Sequence, residues 1–160
     1  MLRLDLVALL GALGCGLMAG FFFAFSVCVM KGLGKLAPEQ GMAAMQSINV
    51  VVINPMFLTV FLGTGCLCAL GIFGSFMHWQ EPVAAYLLAG GAVYLVGAIL
   101  VTMLFNVPRN DALADVTPSS VEGVKLWTSY LSSWTAWNHV RAIASLVAAA
   151  LFMLGLRFRV

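Results

Sequence analysis

The chain has 160 residues, of which 62% are hydrophobic and 9% charged, with a formal net charge of +2. A soluble domain carries roughly 25% charged residues, so this composition excludes a soluble enzyme, a secreted disulfide scaffold and a disordered regulator. The solvent is lipid, which makes the chain an integral membrane protein with the bilayer as its first partner, and the charge is too mild for a nucleic-acid footprint.

Charges punctuate the chain. None lies between Asp5 and Lys31, which predicts a first span over residues 6–30. About 20 apolar residues suffice to cross the hydrocarbon core, and the run is too long for a signal-peptide core, so it reads as a retained helix. It contains Gly16-Leu17-Met18-Ala19-Gly20, a GxxxG spacing that permits close helix approach, either within the bundle or in a homo-oligomer through glycine-rich helix faces. The next uncharged run, from Gln40 to Gln80, is too long for one crossing and is divided by Asn54-Pro55. A residue before proline is pushed out of the helical region, and proline suits a first helical turn. A short helix over 38–53 and a second span over 56–77 follow.

The third span is expected over 82–105, stopping at Asn106-Val107-Pro108, where the proline breaks the turn. Ser119-Ser120-Val121-Glu122 matches a capping box with Ser119 as the cap, so a helix starts there and runs toward Trp134 and the fourth span. Arg141 and Arg157 enclose 15 uncharged residues, about 22 Å of helix, against a core of roughly 30 Å. The fourth span must therefore begin near Trp137, over 137–156, with Arg141 about one turn inside. There it either snorkels to the headgroups or pairs within the bundle. The fold class is all-α: one membrane domain over 1–160, a four-transmembrane-helix bundle with short amphipathic helices in its first and third loops, all on one membrane face. Cys15, Cys28, Cys66 and Cys68 fall in apolar runs with no CxxC pair, and read as inert, buried thiols.

Four spans impose a parity rule. The exit of the first, the start of the second, the exit of the third and the start of the fourth share one face. That rim collects Gln46, Asn49, Asn54, Asn106, Asn110, Tyr130, Trp134, Trp137, Asn138, His139 and Arg141, whereas the opposite face has a short turn, His78-Trp79-Gln80-Glu81. Trp127, Tyr130, Trp134, Asn138 and Arg141 step by three or four and form one helical stripe. Amides near hydrocarbon must find partners, because an unpaired one costs roughly 1–3 kcal/mol. They either satisfy loop backbone beside an interfacial tryptophan belt or line a site. Arg141, an ionisable group within the membrane, is the stronger functional candidate.

Other chemistries lack carriers. His78 and His139 fall on opposite faces, about 30 Å apart. Cys66 and Cys68 diverge by about 200° around a helix, and no HxxxH, ExxH or CxxC spacing occurs in the spans, so no metal site is expected. No span holds an Asp or Glu to couple protons to export.

The segments Phe23-Ala24-Phe25-Ser26, Met45-Gln46-Ser47-Ile48-Asn49, Asn54-Pro55-Met56-Phe57, Asn106-Val107-Pro108-Arg109-Asn110 and Trp134-Thr135-Ala136-Trp137-Asn138-His139-Val140-Arg141 resemble the anthrone oxygenase-like membrane family, in order along nearly the whole chain. The resemblance implies a small four-helix protein of a bacterial inner (plasma) membrane. It also implies an activity like that of fungal members, which convert anthrones to anthraquinones without metal or flavin, so no cofactor is expected. On that reading the substrate is a lipophilic phenolic or anthrone-like molecule oxidised by O2. The catalytic candidates are His139 as general base, and Arg141 and Asn138 as stabilisers of the oxyanion. Trp134, Trp137 and Tyr130 would hold the ring, and Gln46, Asn49, Asn106 and Asn110 its polar substituents. His139 adjoins Asn138 and so lies about 100° from it around the helix, facing either the bundle or the headgroups. The alternative is a non-catalytic protein that binds a quinone, a lipid or a partner subunit at the same rim.

Overall fold

The computed structural model describes residues 4–158. Four helices are long and apolar enough to cross a membrane: α1 (Leu4–Leu33), α3 (Pro55–Met77), α4 (Val83–Ala114) and α5 (Val121–Leu156). A shorter one, α2 (Pro38–Val51), lies in the first loop. No strand occurs among the described residues. The chain is an all-α integral membrane protein.

Local chemistry sets the helix starts. Ala37 is extended and Pro38 occupies the first turn of α2, where a missing N–H costs nothing. Asn54 is also extended, and its one side chain serves two helices. Its Oδ1 accepts from Phe57 N at 3.0 Å to cap α3, while its Nδ2 donates to Val51 O at 2.9 Å to close α2.

Three expected boundaries shift. The cap of α5 is Ser120, not Ser119: its Oγ accepts from Gly123 N at 2.9 Å and donates to Thr117 O at 2.8 Å. Glu122 thereby falls one position short of the place from which a capping box closes. The proline does not stop the third span either. Residues Thr102–Asn106 form a π-helical turn in which Val107 N donates five residues back to Thr102 O, so the N–H that Pro108 lacks falls in a turn already widened, and α4 continues to Ala114. The third loop holds no separate helix, because its amphipathic segment is the first part of α5. At 36 residues that helix is about 54 Å long and outruns the hydrocarbon core by some 24 Å.

The spans close a ring in which α1 packs on α5 and α3, and α4 on α3 and α5. Close approach is sterically enforced at Gly97, where a Cβ would strike Ala144 of α5, and at Gly91, where it would lie 2.7 Å from the Cys68 carbonyl. Gly16 and Gly20 behave differently: neither has an atom within 4 Å of where a Cβ would stand, so this GxxxG faces outward and does not pack the bundle. The cysteines also divide. Cys15 and Cys68 are buried, but Cys28 and Cys66 are exposed on the outer surface, because each pair lies on opposite faces of its helix.

Two apolar clusters result. One fills the bundle with Ala8, Cys15, Phe22, Phe61, Tyr94 and Phe152 among others. The second lies under the projecting end of α5, where Met30, Met42, Met45 and Leu113 surround Trp127, Tyr130 and Trp134. The polar residues of the rim sit where these two clusters meet.

Candidate functional site

On α5 the residues Tyr130, Trp134, Asn138 and Arg141 fall on one face at steps of three or four, and all are buried. They form a polar column that descends from the cap into the bundle. At its top, Asn110 Oδ1 accepts from Tyr130 Oη at 2.8 Å and from Trp134 Nε1 at 2.7 Å. Asn49 of α2 lies beside Tyr130. One turn lower, Asn106 donates from Nδ2 to Trp134 O at 3.2 Å. Asn110 and Asn106 reach the column together because α4 stays helical through Pro108.

The centre of the column is Asn138, which is fully buried. Its Nδ2 donates to Phe22 O at 2.7 Å and Ser26 Oγ at 2.6 Å, both on α1. Its Oδ1 accepts from Arg141 NH2 at 2.6 Å. Arg141 is 6% exposed and therefore pairs within the bundle instead of snorkelling. Its NH1 donates at 3.1 Å to Thr102 Oγ1, whose own proton goes to Ala98 O at 2.7 Å. Its Cζ lies 4.4 Å from the centroid of Phe22 and 5.1 Å from that of Trp134, so two ring faces flank the cation.

No carboxylate pairs with Arg141 among the described residues; its polar partners are two neutral oxygens. Two further buried atoms have no hydrogen-bond partner there: Arg141 Nε, a donor, and Asn106 Oδ1, an acceptor. Ser145 Oγ, one turn below Arg141, is a third. The column therefore holds a positive charge with unused hydrogen-bonding capacity in a setting that strengthens electrostatic interactions.

The other expected site residues lie elsewhere. Gln46 is half-buried and ties down the end of α4, donating from Nε2 to Leu113 O at 2.7 Å and Val116 O at 3.1 Å. Trp137 stacks on Phe105 of α4 with centroids 3.6 Å apart and planes 6° from parallel, on a different side of α5 from the column. His139 is exposed and turned away from Asn138. Three residues that the sequence reading did not single out are central: Phe22 and Ser26, one turn apart on α1, and Thr102, one turn before Asn106. A small hydroxyl inside an otherwise apolar span was the available signal for Ser26 and Thr102.

A groove of about 540 Å³ opens between α1, α2 and α3, lined by Leu17, Phe21, Phe25, Ile48, Phe57 and Val60 among others. None of the expected catalytic or ring-binding residues lines it. Phe25 in its wall stands 6.1 Å from Trp134, ring centre to ring centre.

Among known proteins, the family model described as anthrone oxygenase matches residues 56–151. The match takes in Asn106, Asn110, Tyr130, Trp134, Asn138 and Arg141, and leaves out Phe22, Ser26, Gln46 and Asn49. No curated protein and no solved structure matches the chain.

Proposed function

The chain belongs to the anthrone oxygenase family, and from that premise we propose that it catalyses the cofactor-independent oxidation by O2 of a lipophilic phenolic or anthrone-like substrate, with Arg141 and Asn138 stabilising the substrate's oxyanion. The observation that carries this reading is a buried arginine with no carboxylate partner among the described residues. An isolated charge taken out of water carries a penalty of several kcal/mol, and ionisable groups held within a membrane mark functional sites by default. An anionic ligand beside Arg141 would offset that penalty and accept from its free Nε.

The chemistry asks little else of the protein. Loss of a proton from the ring carbon opposite the carbonyl leaves an enolate whose negative charge rests largely on oxygen. O2 adds to that carbon, and after protonation the hydroperoxide loses water as the second C–H proton departs. The CH2 group and O2 become C=O and H2O, with every electron accounted for. Donors preorganised at the developing oxyanion lower the barrier to the first step, and removing one such donor typically costs about 10²–10³ in rate. Trp134, beside the guanidinium, would hold the ring, and Asn106 Oδ1 would accept from a substrate hydroxyl. The column supplies counter-charge but no base. His139 projects away from it, so the protein's proposed part is to favour the anion, not to abstract the proton.

A second reading, binding of a quinone or lipid without turnover, is favoured by the tight closure of the column around Asn138 and Arg141. Oxygen uptake by the purified protein with anthrone as substrate separates the two. The oxygenase reading expects uptake in step with quinone formation, and a loss of about 100-fold or more in Arg141→Gln. Saturable binding with no uptake would establish the second reading. Uptake unchanged in Arg141→Gln would remove the column from the chemistry.

A further inference from the structure

The column has the charge for an anionic substrate and its α5 side chains are buried, whereas the nearby groove is open and nearly without polar groups. One aromatic layer of α1 separates them. Phe21 and Phe25 line the groove, and Phe22, whose ring centre is 5.9 Å from that of Phe21, lies on the far side under the guanidinium. The groove floor is aromatic too. Phe57 contacts Phe21 at 5.1 Å and stacks on Phe61 at 5.7 Å with planes 17° apart. At about 540 Å³ the volume lies within the range of roughly 300–1,000 Å³ usual for small-molecule sites. Its lips, Leu17 and Met56, are 61% and 80% exposed on helices that cross the membrane, so the opening is sideways, toward hydrocarbon.

We propose that this groove is a distinct binding site for the fused-ring hydrocarbon body of the substrate, which enters laterally from the bilayer, with Phe25 as the gate between groove and column. The proposal rests on the oxygenase reading for the identity of the ligand, but not for the site. Three features select a flat ring system over a lipid chain. Three phenylalanine rings, Phe21, Phe25 and Phe57, line it among aliphatic side chains. Only the Phe21–Phe22–Phe25 layer parts the space from the cation that would receive the ring's oxygen. Apart from Ser47 and Asn54 the lining is apolar, and the charge lies beyond the phenylalanine layer at Arg141, as the oxygen lies at one place on a phenolic polycycle. Phe25 opens the π-helical turn Phe25–Val29, a local irregularity often found at functional sites, and contacts Trp134 on its inner side.

The test uses the full chain in phospholipid nanodiscs and anthracene, a fused-ring hydrocarbon with no oxygen for Arg141 to bind, read by energy transfer from tryptophan. The wild-type protein should show saturable transfer above the linear partitioning of empty nanodiscs. Val60→Phe, which fills the groove, should weaken saturable binding by about tenfold, a loss of roughly 1.4 kcal/mol. Val52→Phe, at the half-exposed lip, makes the same test where folding is not at stake. Arg141→Gln should bind anthracene as the wild type does. Filled variants that bind as tightly as the wild type, transfer that only tracks partitioning, as expected if lipid chains occupy the groove, or binding lost in Arg141→Gln would each overturn the proposal. Oxygen uptake by Arg141→Gln tests the oxygenase reading separately, since anthracene binding does not depend on turnover.

Discussion

The polar column and the apolar groove stand on either side of one layer of phenylalanines, and each has what the other lacks. The column concentrates a guanidinium, three amides and the hydroxyls of Tyr130, Ser26 and Thr102, most of them hydrogen-bonded to one another, and its α5 side chains are all buried. The groove has the volume and almost no polar atoms. The contrast shows how a membrane protein separates two tasks. Polar groups in hydrocarbon must be packed against one another to be tolerated, whereas a lipophilic ligand needs only an opening of suitable shape.

The sharpest way to break this contrast is Arg141→Met. If the column is kept for function, turnover should fall by about 100-fold or more while thermal stability holds or rises, because losing the several-kcal/mol desolvation penalty of a buried charge outweighs the about 1–3 kcal/mol of leaving Asn138 Oδ1 without its donor. Oxygen uptake and thermal unfolding in detergent read the two effects. A fall in both would make Arg141 a structural strut. Asn138→Leu comes next. It leaves the guanidinium without its 2.6 Å acceptor and two α1 acceptors without their donor, so stability should drop by about 1–3 kcal/mol and turnover should drop with it. Unfolding that is unchanged would mean that α1 and α5 are not joined through this amide. His139→Ala is the smallest perturbation. Its exposed position outside the column predicts turnover within about twofold of wild type and stability within ~0.5 kcal/mol. A loss approaching that of Arg141→Met would make the histidine the missing base and place it in the chemistry despite its orientation.

What could be read in advance was whatever depends on residues near one another in sequence. The four spans follow from charge spacing, the break at Asn54-Pro55 from proline sterics, and the stripe from Tyr130 to Arg141 from helical period. Placing Asn106, Asn110 and Asn138 together needed only the parity of the crossings. The rest depends on which helix faces meet. Ser26 and Thr102 become partners of the column only because α1 and α4 both border α5, and neither serine nor threonine announces a cross-helix partner by spacing. The question left open for His139 is answered by the packing of α1 against the Asn138 side of α5. The groove is assembled from residues 17–25 of α1 and the stretch 47–60 across the α2–α3 junction, and spacing in the sequence does not announce that these two faces meet. Pro108 misled because its effect depends on the turn before it.

The π-helical turns in α1 and α4 carry a consequence of their own. Each fits one residue more into its loop than an α-turn would, so the helix beyond it is rotated relative to an uninterrupted helix of the same sequence. Straightening Phe25–Val29 into a regular α-helix with every residue kept would give better-shaped hydrogen bonds, yet swing everything after it by about 100° and carry Met30 out of the cluster it shares with Trp134. Local regularity and global alignment are thus opposed in this chain. The surplus residue acts as a spacer that keeps two stretches of one rod aimed in directions a perfect helix could not combine.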